Sequence, residues 1–226
     1  MAAKDVVKVP LMQFGFLRYP PIIGHLFFLA VGAMTLADPL RAQSLEDKIG
    51  AALKSSAPLT RSLAVDPRSA AEKQVIDRLR TRSISVDPAE APNADERAQI
   101  ANIVRDKPAI DLDILFDYDS AEITPKAAPV LLALGTALSR QDLKGSVILI
   151  NGHTDATGRV DYNQALSQRR ANAVRRMLIE QYKLAPDTLI ATGFGAEQLK
   201  NSSNPLSAEN RRVQVVNTTV EAATGR

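Results

Sequence analysis

The sequence predicts an α/β (α+β) fold in the order β-α-β-α-β-β, with a mixed sheet covered by helices, confined to the C-terminal half of the chain. Three observations predict it. Beyond residue 108, short β-branched or alternating runs take turns with longer runs of helical period; cap and turn residues separate them; and residues 43–107 hold four prolines but no sustained period.

Residues 110–116 (IDLDILF) alternate apolar and polar side chains and form the first expected strand. Residues 124–139 have helical spacing, with Thr124 placed as N-cap before Pro125. Residues 146–150 (SVILI) are the second strand. A long amphipathic helix follows over residues 162–182, with Asp161 as its cap and Gln164 completing a capping box. Its buried stripe runs through Leu166, Ala173, Val174, Met177 and Leu178. Residues 189–192 and 212–216 supply the last two strands, and Gly193-Phe194-Gly195 shapes the turn between them. Strands alternating with helices need crossovers, which puts the helices on one face of a mixed sheet.

Ahead of this domain the chain divides twice. Lys4, Lys8 and Arg18 precede an apolar run over residues 22–37 that ends in small residues, the pattern of an export signal. Residues 1–42 are therefore expected as a signal peptide, cut after Ala42 or Ala37, with an uncleaved membrane anchor as the alternative. The run of about 16 residues is short against the roughly 20 that span a bilayer. Met12 is a second candidate start. Residues 43–107 read as a low-order linker or arm, with short helical patches at 71–80 and 94–105. The arm repeats one motif: TRSLAVDP at 60–67 returns as TRSISVDP at 81–88. Two copies are too few for a solenoid, which leaves duplication within a spacer or a twice-displayed docking motif for an envelope protein. The arm is also too short to supply eight tilted membrane strands. The domain is expected over 108–220, followed by a tail at 221–226.

Composition removes several classes of function. The chain has 226 residues and no cysteine, so disulfides, thiolate metal sites and cysteine nucleophiles are excluded. Its net charge is +3, and two of those charges lie in residues 1–42, so charge does not imply nucleic acid. The pairs Arg169-Arg170, Arg175-Arg176 and Arg211-Arg212 stand among balancing acids with no aromatic stacking platform between them. A hydrolase assembled from His153, Asp155 or Asp119, and Ser120 or Thr154 lacks a nucleophile-elbow motif. Once a signal is removed His153 is the only histidine, too few for a histidine-based metal site. No cofactor, metal or catalytic group is expected.

The most informative stretch is NGHTDATGRVDYNQALSQRRANAV, residues 151–174, which sets Asp155 on a Gly-rich turn and Arg170 on the helix after it. Helical spacing places Asn163 and Arg170 beside the apolar stripe. An arginine there is ordinarily a surface cation or half of a structural salt bridge. This stretch, with ILFDYDSAEITP before it and ENRRVQVV after it, resembles the OmpA C-terminal-like peptidoglycan-binding family, shared with stator-like and lipoprotein relatives, over roughly residues 110–216. The resemblance implies a β-α-β-α-β-β domain that holds the diaminopimelate of a peptidoglycan stem peptide without covalent chemistry, in an exported protein of the periplasm or outer membrane. It places the family's acid on Asp155 and its arginine on Arg170, the helix asparagine on Asn163 and the first arginine of NRRV on Arg211. Asp119 stands where the family often has asparagine. An ammonium and a carboxylate on one ligand call for one acid and one planar guanidinium, and Thr157 with the turn amides near Gly158 adds donors.

Overall fold

Two parallel strands, β2 (Ile148–Gly152) and β3 (Leu189–Gly193), lie side by side because helix α5 (Val160–Tyr182) carries the chain back between them. The computed structural model describes residues 38–54, 67–84 and 91–219. Residues 1–37 of the expected export segment, with its apolar run, the first TRS-x-x-VDP copy up to Asp66, the end of the second and the tail at 221–226 lie outside these residues.

Strand β4 (Val213–Asn217) sits on the other side of β2, and β1 (Ala109–Leu112) lies beyond it, so the order is β1-β4-β2-β3. Both β4 pairings are antiparallel, which makes the sheet mixed. Side chains alternate between its faces. Leu112, Ile148, Ile150, Leu189, Val213 and Val215 point to one side, where α5 and α4 (Ala128–Leu138) cover them. The expected α5 stripe is buried throughout. It approaches so closely that a Cβ on Gly152 or Gly193 would collide with the α5 backbone at Ser167 or Gln168. Any larger residue there would push the helix off the sheet.

Helices cover the second face too, which corrects the one-face expectation. Leu149, Ile190, Phe194 and Val216 form a separate cluster with Leu79 of α2 (Pro67–Ile84) and Ile100 of α3 (Ala94–Val104). On the first face α1 (Asp38–Leu53) inserts Ile49 and Leu53, both fully buried. The reading of 43–107 as a low-order linker is thus corrected for its three helical parts, because each has an apolar face that the sheet layers need. Burying such a side chain contributes about 1.5–3 kcal/mol. Polar contacts fix their positions. Asn217 donates to the Leu53 carbonyl at 2.9 Å, Arg80 pairs with Asp187 at 2.9 Å, and Arg97 with Glu197 at 2.6 Å. The second TRS copy ends α2, where Arg82 forks onto Glu96 and the Ser83 carbonyl accepts from Arg175.

Three local expectations need correction. Strand β1 stops at Leu112, and Phe116 makes only an isolated bridge to Ile123. Thr124 precedes a short 3₁₀ turn, Pro125–Ala127, but its hydroxyl donates to the Leu115 carbonyl instead of capping it. Asp161 lies inside α5, whose N-cap is Arg159. The capping box fails there because the Gln164 amide donates to the Gly193 carbonyl, whereas Asn93 and Glu96 form a complete box at the start of α3.

Candidate functional site

The loop after β2 is pinned on three sides before any side chain is considered. His153 N–H donates to the Arg212 carbonyl, Thr154 N–H to Gly195, and Ala156 N–H to Pro205, at 2.9–3.0 Å. Asn210 fixes the Pro205 segment from beneath. It is fully buried, donates to the carbonyls of Asn204 and Pro205, and accepts from the Asn201 N–H. Gly158, at φ 86°, lets the loop turn into α5.

Asp155 projects from this frame. Its Oδ1 accepts from the Thr157 N–H at 3.0 Å and its Oδ2 from Arg211 Nη1 at 2.6 Å. Burial pushes its pKa up, but the bonds from Arg211 and Thr157 outweigh that and hold the carboxyl below the ordinary aspartate range. Each oxygen keeps a lone pair for a further donor. Asn163, expected as a ligand group, is buried and donates to the carbonyls of Asp155 at 3.3 Å and Thr157 at 2.8 Å. It clamps the loop to the first turn of α5. Thr157 is exposed, and its amide is committed to Asp155.

Arg170 does not pair with Asp155. Its Nε donates to the Ser120 carbonyl at 2.9 Å and its Nη2 to the Asp117 carbonyl at 3.3 Å, while the guanidinium lies 5.0 Å from the centre of the Phe116 ring. Burial, then repulsion from Arg211 and Arg169, lowers its pKa, and attraction from Asp155 and Asp119 opposes this, so all four charges share one field. An arginine remains protonated under such shifts. Asp119 adopts φ 53°, a left-handed turn position that aspartate tolerates, and its carboxylate lies 3.9 Å from Arg169. Arg170 and Arg211 line a cleft of about 360 Å³ with Leu115, Phe116, His153 and Glu209.

Sequence reasoning missed the residues behind these. Arg212, beside Arg211, is buried, and it donates to Asp111 at 3.1 Å and to the Gln198 carbonyl. Both arginines precede β4, in the turn after the 3₁₀ segment Ala208–Asn210, where no periodicity marks which of the two is buried. His153, weighed as a base, is buried and stacked 5.5 Å from Phe194, and neither ring nitrogen has a hydrogen-bond partner of good geometry among the described residues. Burial, reinforced by Arg212, pushes its pKa down to about 3. Among the described residues no cluster of three or more His, Cys, Asp or Glu is placed to hold a metal ion.

Residues 115–212 match the OmpA family model. The chain is similar to outer membrane porin F of Pseudomonas aeruginosa, at 32% identity over 51% of this chain and 32% of that protein. It is also similar to the peptidoglycan-associated lipoprotein of the same organism, at 36% identity over 44% of this chain and 58% of that one. Among solved structures it aligns with the cell wall anchor of the T6SS from Pseudomonas aeruginosa, at 30% identity over 48% of this chain and 78% of that chain, with a TM-score of 0.40. The chain thus spans about a third of the porin and 58% of the lipoprotein.

Proposed function

Because residues 115–212 form an OmpA-like domain, we propose that this protein binds peptidoglycan noncovalently, gripping the diaminopimelate of a stem peptide, and so tethers or stabilises the cell envelope. The observation that carries this reading is the convergence of Asp155, Arg170 and Arg211 at one end of the sheet. They come from the β2–α5 loop, α5 and the turn just before β4, and the two arginines line the cleft. Diaminopimelate ends in an ammonium and a carboxylate on one carbon. The Asp155 carboxylate suits the ammonium. The carboxylate suits Arg170, whose Nη1 has no partner among the described residues, and the outer edge of Arg211.

Preorganisation supports the same assignment. The Asn163 clamp and the Thr157 amide fix Asp155 before ligand arrives, and the Ser120 and Asp117 carbonyls fix Arg170, so little side-chain entropy remains to be lost. Charge-assisted bonds of about 1.5–3 kcal/mol each, two or three in number, correspond to micromolar affinity, which a polymeric wall raises by avidity. The reading needs no catalytic step. It places the protein in the envelope, facing the wall, and the porin and the lipoprotein named above support that location.

The test is sedimentation of the exported protein with purified sacculi, beside Asp155→Ala and Arg170→Ala variants checked for folding by circular dichroism. Wild type should pellet with the wall and both folded variants should stay largely soluble. A wild-type protein that remains in the supernatant defeats the reading.

A further inference from the structure

The turn that Arg170 holds carries an unusual passenger. Tyr118 is fully exposed, the extreme among the large apolar side chains of the described residues, and its hydroxyl has no partner there. A tyrosine normally folds its ring onto a neighbouring apolar surface. Here the ring stands clear of the protein on a turn whose backbone is held. Ser120 N–H closes the turn onto the Asp117 carbonyl, Arg170 takes the carbonyls of both Asp117 and Ser120, Asp119 fixes the left-handed corner, and Phe116 is bridged to Ile123. Phe116 already fills the space beneath the guanidinium. Leu115, 56% exposed, lines the cleft on the same segment, so an apolar edge continues from the cleft wall out to Tyr118.

We infer that the 115–119 edge is a second subsite, in which the Tyr118 ring receives the apolar face of an N-acetylated hexosamine of the glycan strand while Arg170 and Asp155 hold the stem peptide. This rests on the wall-binding reading above. The flanking charges choose the occupant. Asp117 and Asp119, the sequence neighbours of Tyr118, are both exposed, Asp119 at 3.9 Å from Arg169, and their charge disfavours the carboxylates of a stem peptide at this turn. A sugar is uncharged, offers hydroxyl and acetamide N–H donors to those carboxylates, and presents a face of C–H groups to the ring. Arg170 is then a positioning residue for this turn as well as a ligand contact. Its removal releases the Tyr118 platform along with the charge.

The experiment compares two soluble ligands by calorimetry on the full exported protein: a stem peptide containing diaminopimelate, and the same peptide still joined to its disaccharide. Wild type should bind the disaccharide-peptide about three- to ten-fold more tightly. Tyr118→Ala should lose that margin and bind both as wild type binds the bare peptide, while Tyr118→Phe should keep it. Equal wild-type affinity for both ligands overturns the sugar subsite and leaves the stem-peptide reading standing. A Tyr118→Ala variant weakened equally toward both overturns it too, since the turn then acts through Arg170 alone. Wild-type binding to neither ligand defeats the parent reading and this one with it.

Discussion

Arg211 Nη1 lies 2.6 Å from Asp155 Oδ2, joining the turn before β4 to the β2–α5 loop across 56 residues of sequence. The Arg211 side chain is 49% exposed, whereas that of its neighbour Arg212 is 7% exposed. The two arginines therefore divide their work.

Replacing them separates binding from folding. Arg211→Ala leaves Asp155, whose side chain is 12% exposed, with the Thr157 amide alone, so it should cost about 1–2 kcal/mol of stability yet weaken wall binding about ten-fold or more. Arg212→Ala strips a buried guanidinium from Asp111 and from the Gln198 and Asn210 carbonyls. Lys200 still reaches Asp111, so the loss should fall near about 2–4 kcal/mol, at the low end for broken buried pairs. Urea denaturation and sacculus sedimentation on both variants check this. Equal stabilities would refute the division.

Asn163 should behave as a loop clamp and not as a ligand group. Asn163→Ala frees the carbonyls of Asp155 and Thr157 and should cost about 1–3 kcal/mol. Asn163→Asp, which keeps the size but lacks the amide donor, should lose as much stability and binding as the alanine variant. If Asn163→Ala keeps wild-type melting but not wall binding, the side chain touches ligand directly.

Most strand and helix positions were legible because alternation over several residues fits a strand and a 3.6-residue stripe fits a helix. The apolar run of residues 147–150 carried a further message: a strand apolar on both sides is buried on both, which calls for cover on the second face. The arm helices gave a weaker signal because each contributes only a few buried residues, Leu79 from α2 and Ile100 and Ile103 from α3. Asp155, Arg170 and Arg211 were legible as residues through the motifs around them. Their partners were not. The Arg170–Ser120 and Asp155–Arg211 contacts join segments 50 and 56 residues apart, and no local rule reaches that far. Asp161 looked like a cap because Gln164 stands three residues on, as in a capping box, yet Arg159 already has the extended backbone that ends a loop.

Lowering the pH should weaken the fold through His153. Its folded pKa is pushed from 6.5 down to about 3 by burial and by Arg212. Between those values the unfolded chain holds a proton that the folded chain refuses, so stability is full above pH 6.5 and falls as pH drops toward 3. Asp155 acts lower down, with the opposite cause. Its folded pKa is depressed, so its contribution is present above the ordinary aspartate value of about 4 and is lost below it. Denaturation midpoints at pH 8, 6.5 and 5 should decline with no change in the His153 imidazole resonances of the folded protein. Titration of that imidazole between pH 5 and 7 would contradict the burial argument.

Helix α1 should unfold with the domain and not ahead of it. Ile49 and Leu53 are fully buried in the cluster that holds Leu134, Leu138 and Ile148. The contact is fastened at its edges, since Arg140 reaches Asp47 at 3.0 Å, Lys54 reaches Asp142 at 3.0 Å, and Asn217 of β4 takes the Leu53 carbonyl. Ile49→Ala removes buried methyl groups from a packed layer, so it should destabilise the whole domain by about 2–5 kcal/mol. The exposed pairs matter far less, and Asp47→Ala should shift stability by under about 1 kcal/mol. Urea melts followed by far-ultraviolet circular dichroism should stay single, with an unchanged slope and a lower midpoint for Ile49→Ala, because a helix that shares one core with the sheet shares its transition. A helix that merely rests on the surface would behave differently: the main transition would keep its midpoint and a second, shallower one would split away. That result would return residues 43–53 to the role of a spacer.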